Sequence, residues 1–170
     1  ILTTYVDDCL LLSLCDSSAE EMLKRIKAKH DMSMIKPKSE FERDGHRYKV
    51  YDVLGCDVAY SASAGAVSFS MESYIKRLLK EYGMEGCKSL PTPWFDVALL
   101  SDENSPRIGF NLRKVIGSLQ WLCSCCRPDL VVAISLIATK TCEGPEGTCR
   151  VSVVAAVKRV LRYLKGTIDK

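Results

Sequence analysis

The first fourteen residues place the tightest constraint on the fold. They are apolar and β-prone except at Asp7 and Asp8, so the segment reads as two strands joined by a tight turn at the acidic pair. A two-residue hairpin turn normally carries Asn-Gly, Asp-Gly or Gly-X, because positive φ is needed there, and this one contains no glycine. Something other than local preference shapes that turn. Adjacent carboxylates between TTYV and CLLLSL also repel one another where apolar neighbours weaken solvation. A divalent cation resolves the conflict, and Mg2+ in particular takes hard oxygen ligands while keeping places open for water and phosphate oxygens, which suits phosphoryl transfer. The plainer reading makes Asp7 and Asp8 solvated turn residues. The residues alone leave both readings open.

Beyond the turn, Ala19, Met22, Leu23 and Ile26 recur at helical spacing, with Glu20/Lys24 and Glu21/Arg25 pairs on the opposite face. Ser17 or Ser18 is the expected cap, and the helix is expected to lie on one side of a sheet. Residues 31–49 are polar and pattern-poor, a mobile loop with Pro37 and Gly45 as breakers. Residues 48–60 and 66–71 have strand composition and form a hairpin across 61–65. The period turns helical at Met71: Tyr74, Ile75, Leu78, Leu79 and Tyr82 make one apolar face, ended by Gly83. A long connector over 88–106 carries Pro91, Pro93 and Pro106, and three helices follow over roughly 111–126, 128–142 and 151–164. The fold class is α+β.

With 170 residues, 47% hydrophobic and 26% charged, the chain can bury one core or two small lobes, and it is too charged for a membrane protein. Its longest uncharged apolar stretch, 130–138, is far below the roughly 20 residues that span a bilayer. The opening residues have no basic region or cleavage site of a signal peptide and read as the middle of a longer protein. Nine cysteines sit mostly in apolar runs, which favours a reducing compartment and core packing. Cys123, Cys125 and Cys126, or Cys142 with Cys149, lack zinc-site spacing with a fourth ligand.

Charge is uneven. Residues 1–85 hold 12 Lys+Arg against 14 Asp+Glu, whereas residues 86–170 hold 12 against 7. Within the basic half Lys158, Arg159, Arg162 and Lys165 lie opposite the Val153/Val157/Leu161/Leu164 stripe. Such a face can hold nucleic-acid phosphates without reading sequence, or it can simply be the solvated side of a packed helix. Arg127, Pro128 and Asp129 have the composition of a helix start.

TYVDDCLL (4–11) resembles the YVDD box of reverse transcriptases, and further segments are similar, in order, to the copia-type retrotransposon branch: LGCDV (54–58), SYIKRLLKEYGMEGCKSLPTP (73–93), IGSLQWL (116–122), CRPDLVVAIS (126–135) and KRVLRYLKGT (158–167). The resemblance covers essentially the whole chain. It implies part of an RNA-directed DNA polymerase from a Pol polyprotein. Residues 1–70 would be the C-terminal half of an antiparallel palm, 71–106 a thumb-like helix and Pro-rich connector, and 107–170 a helical thumb or connection segment leading to a ribonuclease H domain outside this sequence. Asp7 and Asp8 would then be the catalytic pair and ligands of Mg2+, with Mn2+ as a substitute. Tyr5 and Val6 would shape the surface under the primer end and incoming nucleotide, and Leu54, Gly55 and Cys56 would form the primer-grip strand, glycine letting a sugar-phosphate chain approach closely. The implied partners are an RNA or DNA template with its primer, deoxynucleoside triphosphates and the other Pol domains that copy and integrate the element. No membrane is implied, and the setting is a cytoplasmic retroelement particle or the nucleus.

The sequence departs from the family pattern at residues 36–49, which look inserted, at Cys126 in place of Thr, and at Val153 and Val154 in place of His-Trp. The fingers and first catalytic aspartate are also outside it. These departures sustain a second reading, a decayed remnant retaining at most nucleic-acid binding.

Overall fold

The computed structural model describes every residue except Ile1, Asp7, Leu12, Leu14 and Lys170. It is α+β with antiparallel sheets, and the chain divides into two units, Ile1–Leu54 with Val58–Val67 and Gly55–Asp57 with Ser68–Lys170.

In the first unit β1 (Leu2–Tyr5) and β2 (Asp8–Leu11) pair antiparallel with Tyr5 opposite Asp8. The turn therefore begins earlier than the acidic pair suggests: Val6 lies in it, and Asp8 is already the first residue of β2. The following helix, α1 (Asp16–Lys27), is capped by extended Cys15 and not by Ser17 or Ser18. The cause is local. Ser13 Oγ donates to the Cys15 carbonyl at 2.8 Å and accepts from the Cys15 N–H at 3.3 Å, which holds that residue extended and lets the helix begin at Asp16. No residue of α1 is buried. Ala19, Leu23 and Ile26, three of the four residues of its apolar stripe, are half-buried, and Met22 is exposed.

The segment read as a mobile loop contains a hairpin. Strands β3 (Ser39–Arg43) and β4 (His46–Val53) pair with Arg43 opposite His46, and Asp44 (φ 53°) and Gly45 (φ 75°) form the turn. Positive φ at both central residues is the type I′ geometry for which Asp-Gly is suited. The polar composition that hid the strand is that of one exposed along its whole length, as β3 is. Phe41 and Tyr48 stack across the pair with ring centroids 5.1 Å apart, and the Arg43 guanidinium sits 5.5 Å from the Phe41 ring centre.

A second turn of the same kind, Leu54 (φ 54°) and Gly55 (φ 82°), divides what reads as one strand over 48–60. It leads into β5 (Cys56–Ser61), then β6 (Ala66–Ser70), completing a sheet of order β3-β4-β5-β6. The Leu-Gly pair is thus a turn and not strand interior.

The second unit holds most of the apolar burial. Helix α2 (Glu72–Glu81) buries Ile75, Leu78 and Leu79, and Gly83 (φ 63°) closes it, with the Met84 N–H reaching the Leu79 carbonyl at 2.7 Å. The connector does not float free of this core: Phe95 and, from α3 (Ala98–Ser101), Leu100 are buried in it. A short ladder of β7 (Arg107–Gly109) and β8 (Thr148–Arg150) was not expected, because three-residue strands show no alternation. Helix α4 (Leu112–Cys125) is capped by Asn111, whose carboxamide oxygen accepts from the Lys114 N–H at 3.0 Å.

Pro128 opens a single 3-10 turn (Pro128–Leu130) that continues as α5 (Val131–Ala138). This helix stops short of the expected end near residue 142. The Thr139 and Thr141 hydroxyls take up the Leu136 and Ala138 carbonyls, both at 2.8 Å, and Gly144 and Pro145 follow. Helix α6 (Val151–Gly166) then buries Val153, Val154, Ala156, Val157, Val160, Leu161 and Leu164 in this core, packing against α2, α3 and α5. Fully burying an aliphatic side chain is worth about 1.5–3 kcal/mol, so this stripe dominates the stability of the unit. Among the described residues no helix is long and apolar enough to cross a membrane.

Candidate functional site

The acidic hairpin presents its tip to solvent. Tyr5 is 59% exposed and Val6 89% exposed, and Asp8 is also exposed. Asp7 lies outside the described residues. Val6 sits at φ 56°, a left-handed conformation that a β-branched side chain rarely adopts. The two type I′ turns elsewhere each place glycine second, whereas this turn has none. A strained, exposed aliphatic side chain adds nothing to packing, and strain of this kind is retained where a site needs a particular backbone course. Among the described residues, no three His, Cys, Asp or Glu side chains are grouped so as to hold a metal ion. Asp8 is a donor of the right hard-oxygen chemistry for Mg2+, but the described residues do not complete a site around it.

The residues read as a primer grip occupy two units: Leu54, 37% exposed, closes a segment of the first, and Gly55 and Cys56 open a segment of the second. Glycine is required at residue 55 by its positive φ. Within the protein, a Cβ there would meet only the Tyr74 ring edge at 3.6 Å, an ordinary contact. The Tyr74 hydroxyl in turn donates to the Ser118 carbonyl at 3.2 Å, and the Asp57 carboxylate accepts from the Ser73 N–H at 3.4 Å near the start of α2. Burial pushes the Cys56 thiol up to about 11, with neighbouring Cys125 as the second cause.

The basic residues of α6 share one helix but have different surroundings. Lys158 is exposed, whereas Arg159, Arg162 and Lys165 are half-buried. Arg159 Nε donates to the Trp94 carbonyl, Arg162 Nε donates to the Lys88 carbonyl at 2.7 Å, and the Leu90 N–H donates to the Arg162 carbonyl at 3.2 Å. The two arginines therefore brace the connector. A test of phosphate binding belongs on the lysines: replacing Lys158 and Lys165 by Gln should lower the salt slope of duplex affinity by up to about two phosphate contacts. An unchanged slope would show a merely solvated face.

Sequence reading did not foresee the polar network around Arg127. This residue is 2% exposed. Its Nε and Nη2 donate to Asp129 Oδ1 and Oδ2 at 3.0 and 2.8 Å, Nη1 donates to the Thr167 carbonyl at 2.9 Å, and Nη2 also reaches Thr167 Oγ1 at 2.8 Å. The guanidinium stands 5.4 Å from the Tyr163 ring centre, and the Tyr163 hydroxyl donates to Asp129 Oδ2 at 2.8 Å. The Arg127 hydrogen bonds hold the Asp129 carboxyl below its usual range despite partial burial. The network staples the 3-10 turn to the end of α6. Only its helix-start composition was legible in advance.

No family model and no solved structure matches the chain. Among curated proteins it is 27% identical, over 175 aligned positions, to the retrovirus-related Pol polyprotein from transposon TNT 1-94 of Nicotiana tabacum; the match covers 98% of this chain and 12% of that protein. It is 26% identical over 169 positions to the uncharacterized mitochondrial protein AtMg00810 of Arabidopsis thaliana, covering 98% of this chain and 62% of that protein. The chain thus spans about an eighth of one relative and under two thirds of the other, and these similarities support derivation from a retrotransposon Pol polyprotein.

Proposed function

We propose that this chain is part of a copia-type RNA-directed DNA polymerase, contributing the acidic hairpin and the helical region that follows it. The observation that carries this reading is the hairpin tip, where a glycine-free turn holds Val6 strained and exposed one residue before the Asp7-Asp8 pair. Similarity to a Pol polyprotein along nearly the whole chain supports it.

In this reading Asp7 and Asp8 donate carboxylate oxygens to Mg2+, which, when bound, supplies charge neutralisation for nucleotidyl transfer from a deoxynucleoside triphosphate to a primer 3′ hydroxyl. Tyr5 and Val6 form the apolar floor beneath the primer end. Leu54, Gly55 and Cys56 offer a turn against which the primer strand rests. Lys158 and Lys165 bear on template-primer phosphates, and Arg159 and Arg162 keep the connector in place beneath them. The remaining carboxylate of the metal site comes from other parts of the Pol polyprotein, so metal binding by this chain alone is weak.

A titration with Mg2+ followed by NMR tests the assignment. The resonances of Asp7, Asp8 and their neighbours should move first, with millimolar or weaker affinity, and Mn2+ should broaden the same signals. Shifts confined to the loop around Glu143 and Glu146 would sink it. The departures at Cys126, Val153 and Val154 favour a second reading, an inactive remnant of the same element; it accounts for the fold but leaves the strain at Val6 without a use.

A further inference from the structure

We propose that Trp94 stacks on an unpaired base of a single-stranded nucleic acid whose phosphates lie along the basic face of α6. This rests on the reading of Lys158 and Lys165 as phosphate contacts and adds to it a group that holds the bases. The connector brings the indole to that face. Arg159 Nε donates to the Trp94 carbonyl, Arg162 Nε donates to the Lys88 carbonyl at 2.7 Å, and the Leu90 N–H donates to the Arg162 carbonyl at 3.2 Å, so residues 88–94 run beside the turns of α6 that carry the cations.

The Trp94 side chain is held in place but left open. Pro91 and Pro93 stiffen the segment, the Trp94 N–H donates to Thr92 Oγ1 at 3.2 Å, and adjacent Phe95, 3% exposed, is locked in the core. The two rings lie 16° from parallel with centroids 6.2 Å apart, yet Trp94 remains 51% exposed. A large aromatic fixed at the surface has already lost the freedom that binding would otherwise cost, which suits a stacking platform.

Charge selects the occupant. Helix α6 carries Lys158, Arg159, Arg162 and Lys165 and no carboxylate, and residues 86–95 add Lys88 and again no acid. The bonds made by Arg159 and Arg162 go to neutral carbonyls and leave both charges in place. Asp96, the first acid after Trp94, accepts from the Ala98 N–H at 3.0 Å. Cations beside an exposed ring fit a polyanion with flat, unpaired bases, whereas the bases of a duplex are already stacked on one another. An anionic membrane fits less well, because α6 turns its apolar stripe into the core and keeps none for insertion.

The test uses the folded whole chain with an oligothymidylate of about 12 nucleotides. Its addition should quench tryptophan fluorescence to saturation in the parent and leave it unchanged in Trp94→Ala, where the signal comes from Trp121, packed against the core. Trp94→Ala should bind the oligomer roughly 5- to 100-fold more weakly at an unchanged salt slope, and Trp94→Tyr should restore most of the affinity. A strand of the same length with every base removed should bind parent and Trp94→Ala alike. Equal affinity of parent and Trp94→Ala for oligothymidylate, or a fluorescence response to phosphatidylserine vesicles alone, would overturn the proposal. The lysines test the underlying reading separately: an unchanged salt slope in the chain carrying Lys158→Gln and Lys165→Gln, with quenching retained, would overturn the phosphate assignment alone and uphold the stacking.

Discussion

Replacing Arg127 by Met should destabilise the second unit by about 1–3 kcal/mol, the range for leaving buried hydrogen-bond acceptors without a donor, because the Arg127 side chain is buried whereas that of Asp129 is 40% exposed. The variant leaves the Asp129 carboxylate without its two-point donor, and it strips the donors from the Thr167 carbonyl and hydroxyl, a residue only 5% exposed. Urea denaturation monitored at Trp121, whose neighbours lie in this core, measures the loss; a change below about 0.5 kcal/mol would mean that the network does not hold α6 in place.

The same pair predicts a pH dependence with a definite sign. Asp129 is held below its ordinary range in the folded state, chiefly by the Arg127 hydrogen bonds. Its contribution is therefore complete above the unfolded carboxyl pKa of about 4 and is lost as the pH falls through the lower folded value. Parent stability should fall across that acidic window, and the Arg127→Met variant should fall less steeply. Equal acid sensitivity in the two proteins would place the titrating group elsewhere.

The second large effect concerns chemistry. The chain on its own should not extend a primer, because in the proposed reading the remaining carboxylate of the metal site comes from other parts of the Pol polyprotein, and preorganised charge stabilisation accounts for orders of magnitude in rate. In an active Pol polypeptide containing this segment, Asp7→Asn should reduce extension by about 10³-fold or more, and Asp8→Asn should also reduce it, with template-primer affinity changed far less. Gel-resolved extension beside equilibrium binding separates the two quantities. Robust synthesis by residues 1–170 alone would overturn the proposed division of the site, and an Asp7→Asn enzyme as active as its parent would remove that residue from the chemistry.

Residues acting through strong local periodicity were legible from the sequence. The apolar faces of α2, α4 and α6 and the turn-broken pair of opening strands followed from spacing, because a stripe that must meet a core repeats at the period of the element carrying it. The β3-β4 hairpin was written in the Asp44-Gly45 dipeptide but masked by the polarity of a fully exposed strand. Leu54-Gly55 was ambiguous for the opposite reason: its apolar flanks continue a strand pattern straight through a turn, and only the positive φ values divide it. On the candidate site, the sequence determined which groups stand together along the chain, the acidic pair and the basic residues of α6.

Tertiary structure decided what those groups have left to offer. Arg159 and Arg162 are indistinguishable from Lys158 in a charge pattern, yet each donates to a carbonyl of the connector some 65 to 75 residues away. Arg127 takes up the end of α6 forty residues on. A linear pattern records the period of each element and the chemistry of each side chain. It carries no record of which distant backbone group will satisfy a buried donor, because that depends on how the elements pack.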